Sequence, residues 1–193
     1  MDGTIVDFDS QMQIDLEKMR SPDEPIVDPW DRNYPYMQAR KYSIMSQAGW
    51  WRNLKPIAGG MNLLNEAVLM GFNVHILTKG PVLRPDAWKE KVEWCQDHLN
   101  LKEDKIKMTI TENKGMVYGK ILVDDFPPYV KKWLENRPRG LVIMPTCDYN
   151  KKYEHPNVVK IDYNNLESVL YALSCMKKVL DRKPNEKLLL NKI

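Results

Sequence analysis

The stretch Lys120-Ile121-Leu122-Val123-Asp124-Asp125 decides the fold. Three consecutive aliphatic residues show no polar alternation, the pattern of a strand buried on both faces of a parallel sheet. The two acids place polar groups at its carboxyl end, where open parallel sheets hold their ligands. Working outward, Asn73 to Thr78, Ile106 to Thr111, Leu141 to Met144 and Asn157 to Ile161 read as further short strands. Amphipathic stretches lie between them. A helix is expected over Gly59 to Met70, capped by Gly71. Others are expected over Pro85 to Leu99, with Trp88, Val92, Cys95 and Leu99 on one face, and over Pro128 to Asn136, with proline near its start. The last is expected over Leu166 to Leu180, with Leu166, Val169, Leu170, Leu173 and Met176 as its stripe, and Lys187 to Ile193 is expected to be a frayed tail. This alternation predicts an α/β fold: a Rossmann-like parallel sheet flanked by helices.

The segment from about Arg20 to Pro56 departs from this rhythm. It holds Pro22, Pro25, Pro29 and Pro35 and is rich in aromatics, among them Trp30, Tyr34, Tyr36, Tyr42, Trp50 and Trp51. It reads as a small helical cap over the sheet. The expected division is therefore 1–19 with 57–193 as the core and 20–56 as the cap.

With 193 residues, the chain suffices for one domain and a small subdomain. Hydrophobic residues make up 43% and charged residues 28%, and the net charge is +3. So small a balance argues against a surface for a nucleic-acid polymer or a membrane, while leaving room for a local basic pocket. Cys95, Cys147 and Cys175 lack metal-ligand spacing and read as reduced thiols. No basic-then-apolar leader opens the sequence and no apolar run is long enough to span a bilayer, so the expected location is cytoplasmic.

Several polar residues fall at or near strand ends. They are Asp2 with Gly3 and Thr4, Thr78 followed by Lys79, Lys114 in a loop ten positions before Asp124, and the Asp124-Asp125 pair. Paired carboxylates suit a hard divalent cation. A threonine hydroxyl and a lysine ammonium suit phosphate oxygens. Taken singly, each has a plainer reading: Asp-Asp as a helix N-cap, Thr78 as a turn residue, Lys114 as a solvated charge. Lys120 is a second candidate for the lysine, but it lies on the strand itself.

The series Met1-Asp2-Gly3-Thr4-Ile5-Val6-Asp7-Phe8, then Leu77-Thr78-Lys79-Gly80, then Asn113-Lys114-Gly115 and Leu122-Val123-Asp124-Asp125 resembles the four motifs of haloacid dehalogenase superfamily phosphatases. The block Trp50 to Gly59 and the stretch Thr111-Glu112-Asn113-Lys114 are similar to those of 5′(3′)-deoxyribonucleotidases. The resemblance implies hydrolysis of a small-molecule phosphomonoester, most closely a (deoxy)nucleoside monophosphate, with Mg2+ as cofactor, in a monomer or homodimer. It implies Asp2 as acid and base, its backbone carbonyl also touching magnesium, with Asp124 as a direct magnesium ligand and Asp125 supporting it. Thr78, Lys79 and Lys114 would bind phosphate, Lys114 also bridging to the nucleophile. Phe8, Trp50 and Trp51 would contact the base, or else simply pack cap against core. A sugar or cofactor phosphatase of the same superfamily, and a catalytically dead nucleotide- or partner-binding protein, are the alternatives.

The superfamily's first motif reads Asp-x-Asp-Gly-Thr, and its first aspartate forms an aspartyl-phosphate. Met1 occupies the x position. The resemblance therefore puts the nucleophile one residue ahead of Met1, on an apolar strand outside this sequence. The expectation is a copy truncated within the motif, inactive as written. Omitting a central strand exposes its neighbours' backbone groups, at about 1–3 kcal/mol for each one buried without a partner.

Overall fold

The computed structural model describes residues 1–31, 33–101, 106–183, 185–187 and 190. Helix α1 (Phe8–Lys18) starts at Asp7, whose side chain accepts from the Ser10 N–H at 3.2 Å. Next come α2 (Pro35–Ile44), α3 (Ala58–Leu69) and β1 (Val74–Thr78). Then follow α4 (Pro85–His98), β2 (Ile106–Ile110), β3 (Ile121–Val123) and α5 (Pro127–Asn136). Strands β4 (Leu141–Pro145) and β5 (Val158–Ile161) and helix α6 (Leu166–Asp181) complete the order. Pro85 and Pro127 open their helices, where a missing N–H costs nothing. Gly71 closes α3 with φ +92° and donates to the Val68 carbonyl, while Phe72 N–H reaches Ala67, satisfying the last turn. Most of the tail expected at Lys187 to Ile193 lies outside the described residues.

Every strand pairing among the described residues is parallel, in the α/β arrangement expected. The strands form two sheets: β1 with β2, and β3–β4–β5. Leu141, Val142, Ile143 and Met144 of β4 are fully buried, which is why this segment carries no polar alternation. Residues of β1 and β3, together with Met1, Leu63 and Leu64, line an apolar cavity of about 500 Å³. Thr78 and Asp124 stand at the carboxyl ends of these two strands, so the sheet geometry brings the candidate residues towards one region.

Two helices bury only part of the stripe the sequence suggests: Cys95 and Leu99 near the end of α4 and Met176 of α6 are buried as expected. On α4 the buried residues are Ala87, Glu90, Lys91, Trp94 and Cys95, whereas Trp88 is partly exposed, its ring lying where a Gly80 side chain would project. The Trp88 indole N–H donates to the Pro81 carbonyl at 2.8 Å, satisfying it at the surface. On α6 the buried residues are Ala172, Cys175, Met176 and Val179, and Leu166 and Leu170 are exposed. The small side chains let α6 lie close on β4 and β5, which turns the larger leucines outward.

The 20–56 segment contributes α2 and the Trp50–Trp51 turn. Met37, Ile44, Trp50, Trp51 and Leu54 share one apolar cluster with Met12 and Leu16 of α1 and with Trp94 and Cys95 of α4. A buried carboxylate fixes the return to the core. Glu90 accepts from the Gly49 N–H at 2.7 Å and from the Trp51 N–H at 3.0 Å.

Candidate active site

The first turn of the chain positions Asp2. Met1 carbonyl accepts from the N–H groups of Thr4, Ile5 and Val6, and Gly3 takes φ +68°. A side chain on Gly3 would project to within 2.3 Å of Asp125 Oδ2, so only glycine lets this turn approach the second acid. The Thr4 hydroxyl lies 3.4 Å from both the Asp2 carbonyl and Asp125 Oδ1.

Asp2 faces a lysine that sequence reasoning missed. Lys91 Nζ is 2.5 Å from Asp2 Oδ2, 3.2 Å from the Lys79 carbonyl and 3.4 Å from Thr78 Oγ1. It also sits 4.3 Å over the Trp51 ring. Lys91 is 1% exposed, so this ammonium is held by those groups rather than by water. Its readable signal was a charged pair, Glu90-Lys91, on the helix face that carries Ala87, Trp94 and Cys95. Burial pushes the Asp2 carboxyl upward, but Lys91, the amino terminus and Lys114 outweigh it and hold it below the usual carboxylate range. Asp2 Oδ1 is buried and has no hydrogen-bond partner.

Lys114 lies in a short 3₁₀ turn, buried, with Nζ 2.6 Å from Asp124 Oδ2 and 4.6 Å over the Tyr129 ring. Asp124 Oδ1 accepts from the Phe126 N–H at 3.0 Å. Asp124 therefore pairs with a buried lysine and takes the N–H of Phe126 just ahead of α5, but it does not cap the helix as the plainer sequence reading expected. Burial and the neighbouring Asp124 charge raise Asp125, with a hydrogen bond from the Tyr149 hydroxyl partly offsetting them. Asn150 fixes this corner by donating to the Asp125 and Pro145 carbonyls, each at 2.8 Å. Tyr149 and Asn150 had no motif to mark them.

The amino terminus of Met1 is buried and senses Lys114, Asp2, Asp124 and Asp125, which gather around it. Thr78 is 1% exposed at the end of β1. The Lys79 ammonium instead points outward and pairs with Glu112 at 3.4 Å, so only its carbonyl reaches the cluster. Phe8 stacks on Trp51 with ring centres 5.4 Å apart and meets Trp50 edge-on at 5.4 Å. Both tryptophans are buried. The Trp50 indole donates to Asp15 at 2.9 Å and that of Trp51 to the Met45 carbonyl at 3.2 Å. Packing of cap against core is what these three rings do in this structure.

Among the described residues no three histidine, cysteine, aspartate or glutamate side chains are grouped as a metal site. The donors nevertheless suit a hard cation. Adjacent buried carboxylates repel, and the buried Asp2 Oδ1 has no hydrogen-bond partner. No helix among the described residues is long and apolar enough to cross a membrane.

Three relatives carry the provisional name 5′(3′)-deoxyribonucleotidase. That of Bordetella bronchiseptica is 26% identical over 177 residues, covering 88% of this chain and 91% of its own. That of Bordetella pertussis is 25% identical with the same coverage. That of Bordetella parapertussis is 26% identical over 176 residues, with 87% and 91% covered. The sequence profile of the 5′ nucleotidase, deoxy (pyrimidine), cytosolic type C proteins matches residues 1–166, and the chain belongs to that family of nucleotidase-like phosphatases.

Proposed function

We propose that this chain hydrolyses a phosphomonoester, a deoxynucleoside monophosphate, with Mg2+. The observation that supports this most is the gathering of Asp2, Thr78, Lys91, Lys114, Asp124 and Asp125 at the carboxyl ends of β1 and β3. Thr78 Oγ1 is placed to donate to a phosphate oxygen. Lys114 offsets the negative charge of a transferring phosphoryl group. Asp2 would act as acid and base: Lys91 keeps its carboxylate ionised in the free protein, the form that takes a proton from the attacking water, and the proton for the leaving oxygen would have to enter with the substrate's phosphate. Lys91 holds Asp2 in place for both steps. Asp124, Asp125 and Asp2 are the residues that would hold magnesium, which supplies charge neutralisation to the phosphoryl oxygens. The covalent step would fall to the aspartate that the family's first motif places one residue ahead of Met1.

The segment 20–56 serves as the cap that selects the substrate, with Phe8, Trp50 and Trp51 as the surface that would reorient towards a base. The test is phosphate release by the chain bearing an apolar strand and aspartate ahead of Met1. A panel of deoxynucleoside, ribonucleoside, sugar and cofactor monophosphates is offered with and without magnesium. Preference for deoxynucleotides, lost on chelation and in Asp124→Asn, supports the proposal. Release indifferent to chelation and to Asp124→Asn rejects it, and preference for sugar phosphates rejects the substrate.

A further inference from the structure

Glu90 and Lys91 are neighbours on α4, and the chemistry above uses only the second. Glu90 is buried on the helix face that carries Ala87, Trp94 and Cys95. A carboxylate taken out of water needs donors. Two backbone N–H groups of the turn that leads out of the 20–56 segment supply them, Gly49 to Oε1 at 2.7 Å and Trp51 to Oε2 at 3.0 Å. Arg52 also ties this turn to α4, through Asp97 at 2.7 Å, but that pair is exposed and contributes little in water.

Trp51 links this anchor to the site. Its N–H is held by Glu90, and its ring lies under the Lys91 ammonium, with Nζ 4.3 Å from the ring centre. Phe8 stacks on the same ring. An ammonium shielded from water is attracted to the face of an indole. Lys91 then reaches Asp2 Oδ2 at 2.5 Å and Thr78 Oγ1 at 3.4 Å. A site of this kind works only while its groups stay within about 0.5 Å of their places, so what fixes the Trp51 ring also fixes Lys91.

We propose that Glu90 is a positioning residue for the Lys91–Asp2 pair: by anchoring the Gly49–Trp51 turn to α4, it keeps the Trp51 ring under the Lys91 ammonium. The geometry of the pair thereby depends on how the 20–56 segment is seated. The use to which the pair is put rests on the phosphatase reading; its placement does not.

Proton–carbon NMR of the full chain reads that placement. A lysine ε-methylene group held over an indole ring resonates upfield of an exposed one, so Lys91 carries a signature of its contact with Trp51. In Glu90→Ala this displacement should be lost. In Glu90→Gln, which keeps one acceptor oxygen, it should only be reduced. Val179→Ala opens a cavity in the α6 core, lowers stability without touching the turn, and should leave the resonance unchanged. Calorimetry of deoxythymidine 5′-monophosphate with magnesium should follow the same order, weakening about tenfold in Glu90→Ala, about threefold in Glu90→Gln and not at all in Val179→Ala. Should Glu90→Ala not fold, Glu90→Gln decides. An unchanged Lys91 resonance in either folded Glu90 variant overturns the proposal, and so does its loss in Val179→Ala. Equal loss in Glu90→Ala and Glu90→Gln would mean that charge acts rather than the anchored turn, which overturns it too. No nucleotide binding by the unaltered chain would count against the phosphatase reading, while the Lys91 resonance still decides the role of Glu90.

Discussion

Replacing Lys91 with methionine removes the ammonium and keeps most of the side-chain volume. The cost follows from its surroundings. At 2.5 Å and an effective dielectric constant of 20, the gross attraction between Lys91 and Asp2 is about 7 kcal/mol. Desolvation of the two charges offsets most of that, so the pair as a whole contributes little net stability. Breaking it is different, because Asp2 then remains as a carboxylate with one oxygen already lacking a partner. Loss of one member of a buried pair costs about 3–5 kcal/mol, and the 32% exposure of the Asp2 side chain reduces this to about 2–4 kcal/mol. Burial raises the Asp2 carboxyl, but Lys91 chiefly outweighs it, so its folded value lies below its ordinary 3.8. Its contribution is therefore full above that value and fades as pH falls through the depressed folded value. Urea unfolding of Lys91→Met, Asp2→Asn and the double variant at pH 7 completes the cycle. The double variant should be more stable than Lys91→Met alone, and the Lys91→Met deficit should shrink in acid. A single-variant cost under about 1 kcal/mol, or a double variant no better than Lys91→Met, would refute the reasoning.

Three further outcomes are expected. Burial, with the charges of Asp125, Asp7 and Asp2, raises Asp9 to about 6, so its contribution is present below 3.8 and is lost as pH rises to about 6. Asp9→Asn should then gain about 1–2 kcal/mol at pH 7 and nothing at pH 4, read from thermal unfolding at both pH values, and an equal change at the two would contradict this. Glu90→Ala strands the Gly49 and Trp51 N–H groups and should cost about 2–4 kcal/mol, with Glu90→Gln milder; equal losses in urea unfolding would count against the account. Trp133→Ala, at a residue 1% exposed in the α5 core, should cost about 3–5 kcal/mol by the same assay, and a loss below about 1 kcal/mol would show that the core there is not packed as described.

Strand positions were legible because a strand buried on both faces is marked by uninterrupted aliphatic residues, as in β3 and β4. Helix faces were less so. Trp88 and Leu170 look like core by size, but Ala87 and Ala172 are the residues buried, and the larger side chains stay at the surface. Asp2, Thr78, Lys114, Asp124 and Asp125 were readable from their order along the chain. Lys91 was missed because its one mark, lying with Glu90 on the face that carries Ala87, Trp94 and Cys95, was masked by the stripe expected through Trp88 and Val92. Tyr149 and Asn150 reach Asp125 only through the turn that follows β4, a relation between strands that a linear pattern does not encode.

In the proposed function Asp2, Thr78, Lys114 and Asp124 form one site for magnesium and a phosphate group. Calorimetry of deoxythymidine 5′-monophosphate binding to the chain, with and without magnesium, tests it without requiring turnover. Binding that strengthens with magnesium and weakens about tenfold or more in both Lys114→Met and Asp124→Asn is the expected result. Binding of equal strength without magnesium and in both variants, or no binding at all, would contradict it.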